Sequence, residues 1–60
     1  MFKQGDQVII HTHRYATLYK GKIFTCLANE KKWDEEESYT ILKELGQDGK
    51  SFFTRYLTKV

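Results

Sequence analysis

The sequence predicts an all-β fold: one small domain whose five short strands form a closed or nearly closed barrel. Turn-forming residues interrupt the chain at Gly5-Asp6, at Gly21 and in the segment 46–50 (GQDGK). The runs between them are short and rich in β-branched and aromatic residues, which favour strands. The length of 60 residues allows a single domain, residues 1–60, with a small core.

The first two strands each follow one of these turns. Residues 7–12 place Val8 and Ile10 on one face of a strand, and residues 22–28 (KIFTCLA) form the second run. Both alternating faces of the second run are apolar, as in a strand at the centre of a strongly coiled sheet. We therefore expect Ile23 in the core, and its truncation to alanine to cost about 2–5 kcal/mol of folding free energy.

Residues 34–46 (DEEESYTILKELG) fit either a helix or a strand. Asp34 followed by Glu37 three residues later is typical of a helix N-terminus. However, two β-branched residues stand at the centre of the segment, and their alternation leads into a hairpin-type turn. We therefore expect a strand over about 38–44. The alternative is an α+β domain with a helix at about 34–45.

The C-terminal segment predicts two more strands. Residues 51–54 (SFFT) follow the turn, and residues 58–60 form the last strand. Residues 55–57 between them fit a short 3₁₀ turn. Closing these strands into a barrel removes the exposed edges that promote aggregation.

Three segments of the chain resemble SH3-like barrels: GDQV at the first strand, GKI after a long polar excursion, and the closing FFTRYLTKV. The Gly-Asp opening and the Gly-Lys turn are also similar to the KOW and Tudor-type relatives of that barrel. The free-standing layout with KGKI and FFTRYL looks most like small SH3-like proteins of bacterial phages and prophages. The resemblance covers nearly the whole chain and implies an SH3-like barrel in a phage or prophage accessory protein.

The resemblance also implies roles for residues around the closing turn. In SH3-like barrels a core apolar residue, a surface tyrosine and a buried aliphatic residue follow one another there. Carried over by position, Phe52 is buried, Phe53 is exposed, Tyr56 lies on the ligand-facing rim and Leu57 lies in the core.

Two neighbouring loops are implied in the same way, residues 11–20 and residues 29–37. The ALYDY pattern, the paired tryptophans and the rim proline of peptide-binding SH3 domains are absent. Recognition of proline-rich peptides is therefore not expected.

The composition predicts a soluble protein of a reducing compartment. The single cysteine, Cys26, excludes an internal disulfide. No apolar run approaches the roughly 20 residues that span a bilayer, and the N-terminal MFKQGDQV is too polar for a signal peptide. With the resemblance to phage proteins, we expect the cytoplasm of a bacterial host cell and no membrane association.

A metal centre is one hypothesis for the two histidines. His11 and His13 stand two residues apart, so on a strand both imidazoles point the same way, and Cys26 is a candidate third ligand. No CxxC or HxxxH spacing accompanies them, and paired histidines at a strand end are usually solvated. We expect no metal and no cofactor. The histidines are instead candidates for a pH-dependent partner affinity between about pH 5 and 7.

Catalysis is not expected either. A reactive thiolate needs an electropositive, partly exposed setting, whereas Cys26 lies in an apolar strand and fits a small buried residue. The acidic segment 34–37 (DEEE) is expected to be solvated, and it therefore lacks the burial that raises the pKa of a general acid. We predict no catalytic residues and a non-enzymatic binding module.

Protein binding is the function that the aromatic residues favour. The chain has nine aromatic residues, more than so small a core encloses, and several fall in the two predicted loops. We predict that these loops flank a groove with Tyr15, Tyr19, Trp33 and Tyr56 as its floor, which accepts a host or phage protein. The predicted partner-binding residues are Arg14, Tyr15, Tyr19, Lys20, Trp33, Phe53 and Tyr56.

Two alternatives stay open at this point. In one, Trp33 and Tyr39 only cover an undersized core. In the other, Arg14, Lys20 and further basic residues contact nucleic-acid phosphates while the aromatic rings stack on bases. The net charge is only +2, and the carboxylates of residues 34–37 repel a phosphate backbone, so a protein partner is favoured.

Overall fold

The computed structural model describes residues 1–12 and 14–60, which form two three-stranded antiparallel sheets and one short helix. In chain order the elements are β1 (Gln7–Ile10), α1 (Arg14–Leu18), β2 (Phe24–Thr25), β3 (Lys31–Lys32), β4 (Ser38–Leu42), β5 (Lys50–Phe53) and β6 (Leu57–Lys59), with 3₁₀ turns at Lys43–Leu45 and Thr54–Tyr56. The first sheet has the order β2-β1-β6 and the second β3-β4-β5. The protein is thus a small β-rich domain, and closure into a barrel stays a prediction.

The segment 24–28 joins the two sheets. Its first part is β2, which pairs with β1 in the first sheet. Cys26 then forms a bridge with Leu42 of β4, and the Leu27 amide donates a hydrogen bond to the Ile41 carbonyl at 2.8 Å. One short segment therefore supplies backbone partners to both sheets.

The core lies along this shared segment and is built by alternation on the strands. Thr40 of β4 is the one polar residue buried with it among the described residues, and its hydroxyl donates to the Ala28 carbonyl at 2.7 Å. Because that hydroxyl has a partner, its burial carries little cost. The buried apolar residues are Val8, Ile10, Phe24, Cys26, Leu42 and Leu57.

The segment with two possible conformations, residues 34–46, contains a strand. β4 pairs with both β3 and β5, and Thr40 and Leu42 point inward while Tyr39 and Ile41 do not. The strand prediction is confirmed, although β4 ends at Leu42 and a 3₁₀ turn follows. The alternative helix at about 34–45 is wrong, because the pairing with two neighbouring strands satisfies this backbone instead.

A helix occurs where the sequence predicted an exposed loop. Residues 14–18 form α1, and Tyr15, Ala16 and Tyr19 pack against the core. Tyr15 and Tyr19 stand four residues apart, a spacing that places both on one side of a helical turn. The expectation of a continuous loop over residues 11–20 was therefore wrong.

β2 is shorter than predicted, and one side of its segment is open. Regular pairing covers Phe24–Thr25 rather than residues 22–28. Ile23 is 45% exposed and Leu27 is 38% exposed, whereas Phe24 is fully buried. Since the segment crosses between two sheets, only one of its alternating faces is covered. The placement of Ile23 in the core was wrong.

The C-terminal segment follows the prediction with small shifts. Leu57 is buried as expected. Phe52 and Phe53 are both half-buried, so Phe52 is less buried and Phe53 less exposed than the resemblance implied. The 3₁₀ turn begins one residue earlier than predicted, at Thr54. In another part of the chain, β3 lies within residues 29–37, where only a loop was expected.

Two carboxylates hold the ends of strands. The two oxygens of Glu44 accept hydrogen bonds from the Thr25 amide (2.7 Å) and hydroxyl (3.0 Å). Slight burial by itself raises the pKa of Glu44, but the Thr25 hydrogen bonds outweigh it and bring the pKa below its ordinary value of 4.5. The hydrogen bond from the Lys3 amide, helped by the Lys59 ammonium, likewise lowers the pKa of Asp6.

Leu57→Ala is expected to destabilise the domain by about 2–5 kcal/mol, because it removes a side chain that is only 5% exposed. Ile23→Ala removes the same number of atoms from a side chain that is 45% exposed, and its cost is expected to be clearly smaller. Urea unfolding followed by circular dichroism measures both. An equal loss of unfolding free energy in the two variants would contradict this assignment of the core. If Leu57→Ala does not fold, Leu57→Val is used in its place.

Glu44→Gln is expected to make the stability of the domain less dependent on pH in acid. Because the folded-state pKa of Glu44 lies below 4.5, the folded state holds fewer protons than the unfolded state. The stabilisation is present above about pH 4.5 and is lost as the pH falls through the folded-state pKa. Thermal unfolding between pH 6 and pH 2.5 tests this, with Glu35→Gln as the control for the change in net charge. The same pH dependence in Glu44→Gln as in the parent protein would contradict the role of the Thr25 hydrogen bonds.

Candidate functional site

Three aromatic side chains, Trp33, Tyr39 and Phe53, form a cluster that we call the aromatic face. Tyr39 and Phe53 are directly opposite each other on β4 and β5. The Trp33 ring meets both edge-on, with ring centres 6.1 and 6.2 Å away. Since Thr40, next to Tyr39, points into the core, the aromatic face lies on the outer side of the second sheet. Trp33 itself is 66% exposed.

The turn after Trp33 is held by its own hydrogen bonds. One carboxylate oxygen of Asp34 accepts from the amides of Glu36 and Glu37, each at 2.8 Å. The Trp33 amide donates to the Glu37 carbonyl at 2.8 Å, and the Glu37 carboxylate pairs with Arg55 at 3.2 Å. The exposed indole is therefore presented from an ordered backbone.

A second set of rings extends the core. Tyr19 meets Phe24 and Tyr15 edge-on, at 5.6 and 5.7 Å between ring centres. Tyr15 stacks on Phe52 at 6.0 Å, and Phe52 meets Tyr56 at 5.6 Å. The three tyrosines and Phe52 are half-buried, and they pack against the buried residues. Their first role is thus in packing.

The aromatic residues predicted to bind a partner fall into two groups. Phe52 and Phe53 are neighbours on β5, so their side chains point to opposite faces. Trp33 and Phe53 belong to the aromatic face. The remaining ones belong to the core-packed rings: Tyr15, Tyr19 and Tyr56. The contacts of the described residues do not bring Trp33 together with these tyrosines as one groove floor.

Basic side chains lie around α1 and its core-packed rings. The guanidinium carbon of Arg14 is 5.7 Å from the Tyr15 ring centre, and the Lys22 ammonium is 5.7 Å from the Tyr19 ring centre. Both distances are in the range of cation–π attraction. Lys20, just past the end of α1, is exposed. Arg14 and Lys20, both predicted for partner binding, therefore lie at opposite ends of α1.

A groove of about 430 Å³ lies between α1 and β1. Its lining includes the apolar Ile9, Ala16 and Tyr19 and the polar His11 and Lys20. This groove was not predicted from the sequence, because the segment that forms α1 was expected to be a loop. The available signal was the three-residue spacing of Ala16 and Tyr19, which puts both on one side of a helix.

Cys26 is the small buried residue that the sequence predicted. Its side chain is 1% exposed. Burial raises the pKa of the thiol, and an interaction with the Thr40 hydroxyl only partly opposes this. The thiol therefore stays protonated and shielded from reagents at neutral pH.

Within residues 1–12 and 14–60, no three His, Cys, Asp or Glu side chains stand close enough together to hold a metal ion. The exposed His11 places its Nε2 atom 3.1 Å from the Arg55 carbonyl oxygen, while Cys26 is buried. The other predicted ligand, His13, lies outside the described residues. The two described members of the hypothetical metal site thus differ in their access to solvent.

No protein-family model matches this chain, and neither a curated protein nor a solved structure matches it. Among the described residues, no helix has the length and apolar character needed to cross a membrane. The function is therefore inferred from the surfaces of the protein itself.

Cys26 is expected to react with the thiol reagent DTNB at least about a hundredfold more slowly in the native protein than in denaturant. The reaction requires the core to open, which costs several kcal/mol. Absorbance at 412 nm follows it. A Cys26→Ala, Ser51→Cys variant, with its thiol at an exposed position of β5, is the control and is expected to react quickly. Equal native rates in the two proteins would contradict the burial of Cys26.

Proposed function

We propose that this protein is a non-catalytic binding module that docks another protein on its aromatic face. The observation that carries the proposal is Trp33, a large apolar side chain that is 66% exposed although two rings and an ordered turn hold it in place. Tryptophan is enriched among the residues that dominate binding energy at protein interfaces. This degree of exposure argues against the alternative that Trp33 only covers the core.

The surroundings of the aromatic face also fit a protein interface. Lys31 lies opposite Tyr39 across β3 and β4, and Glu35 and Glu36 are exposed in the turn after Trp33. An apolar centre with a polar rim of both charges is the usual layout of protein–protein contacts. The exposed carboxylates favour a partner that brings basic groups to this part of the rim.

Nucleic-acid binding is the weaker candidate. The basic side chains around α1 favour it, but the rings beneath them are occupied, since Tyr15 stacks on Phe52 and Tyr19 meets Phe24. The exposed ring, that of Trp33, is followed directly by four carboxylates, which repel phosphates. No single surface among the described residues therefore combines open rings with purely basic charge, as stacking on single strands requires.

The finer proposal for the fold is an SH3-like barrel. The two antiparallel sheets joined through residues 24–28 and the 3₁₀ turn before β6 support it. The proposal of a phage or prophage accessory protein that acts on a host or phage protein in the bacterial cytoplasm depends on the resemblance of the KGKI and FFTRYL segments.

Trp33→Ala is expected to weaken partner binding by about 30-fold or more, which corresponds to about 2 kcal/mol for an interface anchor. Tagged protein captures partners from a lysate of the native host, and quantitative mass spectrometry compares the variants. Binding of the purified partner is then measured by calorimetry. Ile23→Ala, which removes exposed apolar surface outside the aromatic face, is the matched control and is expected to keep the partner.

Two results would overturn the proposed function. One is that every partner captured from the lysate binds Trp33→Ala and the parent protein equally well. The other is tight, steeply salt-dependent binding of a fluorescent oligonucleotide that is lost in the Lys20→Glu, Lys22→Glu variant, because that result identifies the basic surface as a nucleic-acid site.

A further inference from the structure

The groove between α1 and β1 is a second surface with the features of a binding site. Its volume of about 430 Å³ is within the range of about 300–1,000 Å³ that is usual for ligand sites. Ile9 contributes apolar surface to it from β1 and is 37% exposed, although it lies between two buried strand residues. Ala16 and Tyr19 form the opposite wall. An aliphatic side chain of a docked segment therefore finds apolar contacts on both sides.

The charged residues that line this groove or flank its lining along the chain are all basic. Residues 7–29, which supply all of its lining, contain no aspartate or glutamate, and their charged residues are Arg14, Lys20 and Lys22. Lys20 lines the groove, and Arg14 begins the helix that forms one wall. The electrostatic potential here attracts an anionic occupant and repels a basic one.

Three carboxylates of the chain are bound to groups outside this groove. Glu44 accepts both of its hydrogen bonds from Thr25. Glu37 is paired with Arg55, and Asp6 with Lys59. The basic charge at the groove is therefore left for an external partner.

The arrangement of the rings identifies the kind of anionic partner. Single-stranded nucleic acids need open ring faces for base stacking. Here Tyr19 makes edge contacts with Tyr15 and Phe24 and lies below the Lys22 ammonium, while Tyr15 stacks on Phe52. An apolar slot with basic flanks, rather than a stacking platform, matches a peptide that has an aliphatic residue among carboxylates.

We infer that the groove between α1 and β1 docks an acidic segment of a protein partner. An aliphatic side chain of that segment inserts between Ile9 and Ala16, and neighbouring aspartates or glutamates meet Lys20 and Arg14. This site is distinct from the aromatic face, and it does not depend on the proposed function of Trp33. With both surfaces in use, the protein bridges an acidic segment and a second partner.

A displayed library of random 12-residue peptides tests the inference with the intact protein as bait. Selected peptides are expected to combine at least one leucine, isoleucine or valine with several aspartates or glutamates. Affinity of a selected peptide is measured by fluorescence polarisation. Lys20→Glu is expected to weaken it by about tenfold or more, since it turns an attraction into a repulsion. Thr17→Trp, which adds a bulky ring to the groove lining, is expected to have a similar effect.

Two control variants separate this site from the rest of the surface. Lys50→Glu makes the same change in net charge at an exposed position of β5 that is not part of the groove lining, and it is expected to alter peptide affinity by less than about threefold. Trp33→Ala is expected to leave peptide affinity unchanged. The variants therefore distinguish a failure of the proposal for the aromatic face from a failure of the proposal for the groove.

Several outcomes would overturn the inference. The first is a library that yields no binders, or only binders without acidic residues. The second is peptide binding that Trp33→Ala abolishes and Lys20→Glu does not. The third is an oligonucleotide that competes for the groove more strongly than the peptide. Sedimentation velocity adds one more. Concentration-dependent self-association that both Lys20→Glu and Trp33→Ala abolish would assign the groove to the Trp33 turn of a second copy.

Discussion

The backbone hydrogen bonds of residues 24–28 run to both sheets, and the fold depends on this double pairing. A chain of 60 residues cannot supply separate cores for two sheets, so one segment has to belong to both. Where it crosses, the interior has room for the small side chain of Cys26 and for Thr40, whose hydroxyl is satisfied by the Ala28 carbonyl. The crossing also explains why Ile23 and Leu27 stay partly exposed, since a segment that changes sheets covers one of its faces only.

With so few buried apolar residues, hydrogen bonds between side chains and the backbone help to order this molecule. The acidic residues illustrate this, because several bind backbone amides rather than distant charges. Glu30 accepts from the Phe2 amide and so attaches the N-terminal segment, and Asp34 closes the turn that carries Trp33. Glu44 does the same for β2 through Thr25. A net charge of +2 therefore understates how basic the remaining surface is around α1.

The sequence predicted β1 and β4 from alternation beside a turn signal, and β5 from the turn before its aromatic residues. It failed at α1, because a helix of five residues has no long periodic pattern, and tertiary packing of Tyr15 and Tyr19 against the core stabilises it instead. The candidate site shows the same limit. Exposure of Trp33 followed from its position in a polar segment, and strand alternation alone puts Phe52 and Phe53 on opposite faces. The strand register, which places Tyr39 opposite Phe53 and so brings both beside Trp33, could not be predicted. Register is set by pairing with distant strands.

The size of the molecule limits how it can bind. Its accessible surface is 4451 Å², and a standard interface covers about 800 Å² on each partner. Two such interfaces would cover about a third of the accessible surface. An interface of standard size at the aromatic face or at the groove therefore takes up a large fraction of the protein surface. Each must recruit the side chains that also hold the fold, as Tyr19 does by packing on Phe24 while lining the groove. Stability and recognition are therefore coupled in this protein, and a partner that fills the groove also protects the core behind it.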